Sequence, residues 1–152
     1  MELILWRHAE AEDGGNDAAR ALTKRGHKQA KLMAAWLDKR LGKEWTVLAS
    51  PAVRAQQTAA ALGRKIDTRE RLDTSSGAKD VLREAGWPKG GGGKVVVVGH
   101  QPTLGQVAGM LLGSHEDVAF RKGAVWWFVE RERDGRSETV LKAVLNPDLL
   151  ED

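Results

Sequence analysis

The chain has 152 residues, 41% of them hydrophobic and 30% charged, and this excludes both a disordered tail and a membrane protein. At this length roughly 70% of the unfolded surface can be buried, so a single domain over residues 1–152 is expected. The absence of cysteine excludes disulfides, thiolate zinc sites and cysteine nucleophiles. The net charge of +3 is spread along the chain, and Tyr is absent, so a basic stripe or base-stacking platform for nucleic acid is not expected.

Glu2 to Arg7 reads as a short buried strand, apolar from Leu3 to Trp6. Neither this run nor Val95 to Val98 is long enough to span a bilayer. No basic segment followed by an apolar one opens the chain, and a cytoplasmic protein is expected. Ala9 to Ala21, rich in Glu, Asp, Gly and Asn, reads as a loop. Thr23 is placed to cap a helix to about Leu41. In it Ala30, Met33, Ala34, Leu37 and Leu41 recur at helical spacing, and Lys28, Lys31 and Lys39 fall largely on other faces. Gly42 stands where that helix stops. His27 reads as structural and Trp36 as packing. Trp45 to Ala49 is a second strand. Ser50 and Pro51 then supply an N-cap and a first helical residue for a helix to about Leu62, ended by Gly63.

Lys65 to Asp73 has room for a short strand, and Ala78 to Ala85 for a brief helix ended by Gly86. Pro88 through Gly93 reads as a flexible link. A phosphate-loop reading of it fails, because Pro88 stands where Gly is needed and Val95 where Ser or Thr is needed. The valines of Lys94 to Val98 indicate a strand covered on both faces. Pro102 to Leu112 is a helix ended by Gly113, with His115 exposed beyond it. Ala124 to Arg131 and Ser137 to Leu145 flank Asp134 and Gly135, a hairpin-turn signal. Trp126 and Trp127 point to opposite faces of their strand, one into the core and one toward an exposed surface. The stretch after Pro147 carries no signal. The order of elements predicts an α/β fold, a three-layer α/β/α sandwich with a mostly parallel central sheet and a C-terminal hairpin.

Three strand exits carry the chemistry: Arg7 with His8, Ser50 to Arg54, and Gly99 to Pro102. Ligands of open α/β sheets bind at that edge. Arg7 and Arg54 offer forked donors matched to tetrahedral oxyanions. Helix N-termini after Ser50 and Pro102 add free N–H groups. His8 and His100 add imidazoles that titrate near ~6.5 when unperturbed. No carboxylate cluster and no histidine pair has metal-ligand spacing, so phosphoryl chemistry without metal or cofactor is expected.

Arg7-His8-Ala9-Glu10 resembles the signature of the histidine phosphatase (phosphoglycerate mutase-like) superfamily. Ser50 to Ala59 resembles its second signature and Val97 to His100 its third, and Leu22 to Gly26 is similar to the segment opening its first helix. The likeness spans about residues 1–113 and is greatest for the SixA-like phosphohistidine phosphatase branch. It implies that His8 attacks phosphorus and is itself phosphorylated. It further implies that Arg7, Arg54 and His100 bind the phosphoryl group, and that the substrate is a protein carrying phosphohistidine. Ala9 stands where most members have Gly. Gln101 follows His100 where many have Asp, and the stretch from Lys65 to Gly93 is short. Asp67, Glu70, Asp73, Asp80 and Glu84 match no motif, so no general acid is assigned. Whether Glu10, Glu12, Asp13 or Asp17 reaches the pocket is left open. Without an acid the site would favour P–N over P–O bonds, and the short insertion would leave it open to a protein surface. The alternatives are small phosphomonoesters hydrolysed by the same route, or a non-catalytic phosphate-binding module. No nucleic acid or membrane partner is expected, and a monomer suffices.

Overall fold

Alternation of buried apolar side chains along short strands sets the architecture. The computed structural model describes residues 1–88 and 92–151. Part of the glycine-rich link, Lys89 to Gly91, lies outside them. In chain order the elements are β1 (Glu2–Arg7), α1 (Lys24–Asp38), β2 (Thr46–Ala49), α2 (Val53–Ala60), β3 (Ile66–Thr68), α3 (Ala78–Ala85), β4 (Lys94–Gly99), α4 (Thr103–Leu111), β5 (Val125–Arg133) and β6 (Arg136–Leu145). The strands form one sheet in the order β3-β2-β4-β1-β5-β6. The first four run parallel, and β5 and β6 form the antiparallel hairpin. Asp134 (φ 54°) and Gly135 (φ 75°) make its two-residue turn, as positive φ at both positions requires.

Successive residues of each central strand face opposite layers. Ile4, Trp6, Val96 and Val98 pack with Met33, Leu37, Ala55 and Ala59 of α1 and α2. Leu3, Leu5 and Val97 pack with Val81, Leu104 and Val107 of α3 and α4. Both faces of β1 and β4 are thus covered, which is why their sequences are unbroken apolar runs. The tryptophan pair splits the same way. Trp127 is buried against the α1–α2 layer, while Trp126 is half-buried, stacked on Phe120 at 5.1 Å instead of standing exposed. No helix among the described residues is long and apolar enough to cross a membrane.

Several expectations are corrected. α1 ends at Asp38, short of Leu41, because the chain tightens there: the N–H groups of Arg40 and Leu41 both donate to the Leu37 carbonyl. Ser50 is not the cap of α2. Its N–H donates to the Val98 carbonyl at 3.1 Å, holding it in line with the sheet, and the helix begins only at Val53. His27 is exposed, not structural. The tail has structure after all: Pro147–Leu150 forms a 3-10 turn, and Leu150 packs against the α1–α2 layer.

α1 approaches the loop after β1 closely enough to demand glycine at one position. A Cβ on Gly26 would collide with the Glu10 carbonyl oxygen, which accepts the Thr23 N–H at 3.0 Å. Gly26→Ala should therefore destabilise the protein by about 1–3 kcal/mol, although alanine favours an isolated helix by ~1 kcal/mol. A urea midpoint equal to or above that of the wild type would refute the close-contact reading.

Candidate active site

β1 and β4 pair in register from Glu2 opposite Lys94 to Arg7 opposite Gly99, and the His8 N–H continues the ladder to the Gly99 carbonyl at 3.0 Å. The next residue on each strand is a histidine. The His8 and His100 ring centroids consequently lie 5.3 Å apart, tilted by 56°. α2, entering from β2, brings Arg54 to the same point. Arg7, His8, Arg54 and His100 all line one open cleft of about 390 Å³, joined by Asp13, Asp17, Arg20, Thr74, Gln101 and Lys122. The structure thus brings together the four candidate residues carried by the three strand exits.

His8 is held in a defined tautomer. Its Nδ1 lies 2.7 Å from the Ala9 carbonyl oxygen. A carbonyl only accepts, so Nδ1 carries the proton and the lone pair of the neutral ring sits on Nε2. There it accepts the Arg54 Nε–H at 3.3 Å. Burial pushes the His8 pKa down to about 3, against the pull of the Ala9 carbonyl and with the nearby charges of His100, Arg54 and Arg7. Burial and the Arg54 charge lower His100 to about 4, against the pull of Asp17 and Asp73. At neutral pH both rings are uncharged, and His8 presents an unprotonated nitrogen beside a guanidinium.

Arg54, 4% exposed, is fixed from the first loop. Its Nη1 donates to the Asp17 carbonyl at 2.7 Å and its Nη2 to the Asp17 carboxylate at 3.1 Å. That hydrogen bond holds the Asp17 carboxyl below its ordinary pKa, so Asp17 stands in the cleft as an ionised acceptor. Of the first-loop acids left open from the sequence, Asp13 and Asp17 both line the cleft, and Asp17, in a 3-10 turn over Asp17–Ala19, is the one paired with Arg54. Arg7 Nη1 donates to the Phe120 carbonyl at 2.7 Å. His100 Nε2 meets the Ser50 hydroxyl at 2.8 Å, the use that Ser50 has in place of capping. Thr58 accepts the Ala9 N–H at 3.0 Å and donates to the Arg54 carbonyl at 2.7 Å, tying the loop after His8 to α2.

Among the described residues, the buried side-chain nitrogens and oxygens lacking a hydrogen-bond partner are Arg7 Nε, Arg20 Nε and His100 Nδ1. Arg20 Nε does stand 3.3 Å from an Asp17 carboxylate oxygen, as an ion pair without hydrogen-bond alignment. A buried polar atom left unpaired costs about 1–3 kcal/mol, and these three fall on residues that line the cleft. Asp17, Arg20 and Lys122 were not assigned from the sequence. Their link to His8 is purely tertiary, and only the acidity of the first loop hinted at it.

The sequence profile of the histidine phosphatase superfamily (branch 1) matches residues 3–80. A phosphohistidine phosphatase SixA homolog of Haemophilus influenzae is 32% identical over 135 residues, covering 79% of this chain and 82% of the relative. The chain belongs to the histidine phosphatase superfamily. Within it the chain is one of the SixA-like proteins. Phosphohistidine phosphatase SixA of Escherichia coli is 28% identical over 82% of this chain and 83% of its own. The solved structure of the protein histidine phosphatase SixA complexed with tungstate superposes with a TM-score of 0.83 at 25% identity, over 99% of this chain and 100% of that one. Membership of this superfamily supports a phosphatase.

Because both histidine pKa values lie below 6.5 in the folded protein, the unfolded chain binds protons that the native state refuses. Stability is then full above pH ~6.5 and is lost as pH falls toward ~4 and ~3, each tenfold difference in proton affinity being worth ~1.4 kcal/mol. Imidazole NMR titration should find His8 and His100 still neutral at pH 5.5. A midpoint near 6.5 for either ring would contradict the burial argument.

Proposed function

We propose that the chain hydrolyses phosphohistidine on proteins through a phosphorylated His8. The observation that carries this reading is the unprotonated Nε2 of a buried, neutral His8, oriented by the Ala9 carbonyl and met by the Arg54 guanidinium, with Arg7 in the same cleft. His8 Nε2 attacks phosphorus, and the P–N bond of the substrate breaks. The electron pair leaves with the substrate imidazole, which takes its proton from solvent. Water then attacks the His8 phosphoryl group, releasing inorganic phosphate and restoring the free ring. Arg7 and Arg54 hold the equatorial oxygens, and His100, braced by Ser50, completes the pocket. Charge stabilisation of this kind carries most of the barrier reduction in phosphoryl transfer.

The leaving group supports a P–N substrate. Asp17 is kept ionised by Arg54 and holds no proton to donate. An alkoxide needs such a proton, whereas imidazole is a competent leaving group once protonated from water. The names of the SixA relatives from Haemophilus influenzae and Escherichia coli agree with this assignment. The tungstate bound by the SixA of known structure is a tetrahedral oxyanion of the kind that the cleft here would accept.

Rapid-quench transfer from a radiolabelled phosphohistidine protein tests the reading directly. Wild type should take up an acid-labile, alkali-stable label and release phosphate, and His8→Ala should do neither. Faster turnover of small alkyl phosphate esters than of phosphohistidine protein would instead favour a phosphomonoesterase. Absence of label from both donor classes would leave a phosphate-binding module.

The forked geometry of Arg54 gives a second test. Arg54→Lys keeps the charge but cannot serve Asp17 and an equatorial oxygen together. kcat/KM should fall on the order of 10²–10³, and near-wild-type turnover would remove Arg54 from the mechanism.

A further inference from the structure

Lys24, Lys28 and Lys31 lie about one turn apart along α1 and so share one exposed face. From Lys24 to Leu37 the helix has no acidic residue. Among the described residues no ion pair involves these three lysines, and Arg25 reaches only Glu10, at 4.0 Å. The arrangement works against the helix itself. Cations in the first turn oppose the helix dipole, and like charges three and four residues apart repel. Stability does not account for it, and four cations fall within the eight positions from Lys24 to Lys31 with no acid among them.

The surface around this face is continuous with the catalytic cleft. A depression of about 790 Å³ over Lys24, Lys28 and Lys31 shares Arg25 and Glu151 with a second of about 470 Å³. That second depression shares Arg7 and Lys122 with the cleft at His8. A path of shared residues thus leads from the phosphoryl site out over α1. Near the cleft it is mixed in charge, with Glu10, Asp148 and Glu151 beside the arginines. Farther out it is basic.

We infer that this path is the docking face for the phosphohistidine-bearing protein, and that it selects partners with an acidic surface beside the modified histidine. The inference rests on the function proposed above and adds what would confer partner selectivity. A protein flank fits better than nucleic acid, because its acidic side chains can be confined to the part that reaches the lysines, whereas the three carboxylates near the cleft would repel the phosphate carried by every nucleotide. The groove also offers no stacking platform, since its aromatic residue, Phe120, is 4% exposed. Complementary charge of this type raises association rates and loses its effect as salt rises.

The test uses two synthetic phosphohistidine peptides that differ only in a flank of about eight residues, extending ~26 Å, rich in Glu in one and in Gln in the other. At low salt the wild type should prefer the Glu peptide by roughly tenfold in kcat/KM, and the preference should vanish near ~1 M salt. The variant Lys24→Gln/Lys28→Gln/Lys31→Gln should lose the preference, keep its activity on the Gln peptide, and be at least as heat-stable as wild type. Equal treatment of both peptides by wild type, or a preference retained by the variant, overturns the inference. Lysine-dependent binding of phosphatidylserine vesicles or duplex DNA, with no preference between peptides, overturns it too. Turnover of the Gln peptide reports separately on the phosphohistidine reading.

Discussion

Parallel pairing of β1 with β4 governs the site. Because the two strands are in register up to Arg7 and Gly99, and the His8 N–H still belongs to the ladder, the residues that leave the sheet together are the two histidines. Their spacing follows from sheet geometry, in which neighbouring strands lie about 4.8 Å apart, and requires no loop to hold them. The layers of apolar side chains on either face keep that register, since a slip of one residue would exchange the two faces of β1. The hydrophobic core therefore fixes the placement of the two histidines as well as stability.

α2 supplies the second constraint. Its Arg54 enters the cleft, while its Gln57 and Thr58 accept the N–H groups of Leu22 and Ala9. Gln29 of α1 does the same for the N–H of Glu10. The loop between β1 and α1 is thus fastened by side-chain acceptors at both ends, and only its middle, around Asp17, reaches across to Arg54. Rigid anchoring of both flanks lets a loop residue act with the accuracy of one on a strand.

α1 was legible from its helical period and the central strands β1 and β4 from unbroken apolar runs, and the four central site residues because each sat at or just beyond a strand exit. Local signals misled where a tertiary bond outbid them. Ser50 has the look of a cap, yet the sheet and His100 claim it. His27 falls near the apolar stripe of α1 but faces outward with the lysines. The basic face of α1 was written in the sequence, with Lys24, Arg25, Lys28 and Lys31 inside eight positions, but the net charge of the whole chain hides it. Asp17 was visible only as one acid among several in a polar loop, because its pairing with Arg54 spans 37 positions.

That pairing makes anion binding at Arg54 an exchange. In the free protein, three N–H groups of this guanidinium are already engaged, by His8 Nε2, the Asp17 carbonyl and the Asp17 carboxylate. An oxyanion that takes any of these donors gains only the difference between two charge-assisted hydrogen bonds. A carboxylate belonging to the chain is thereby a resident competitor for any oxyanion that binds at Arg54.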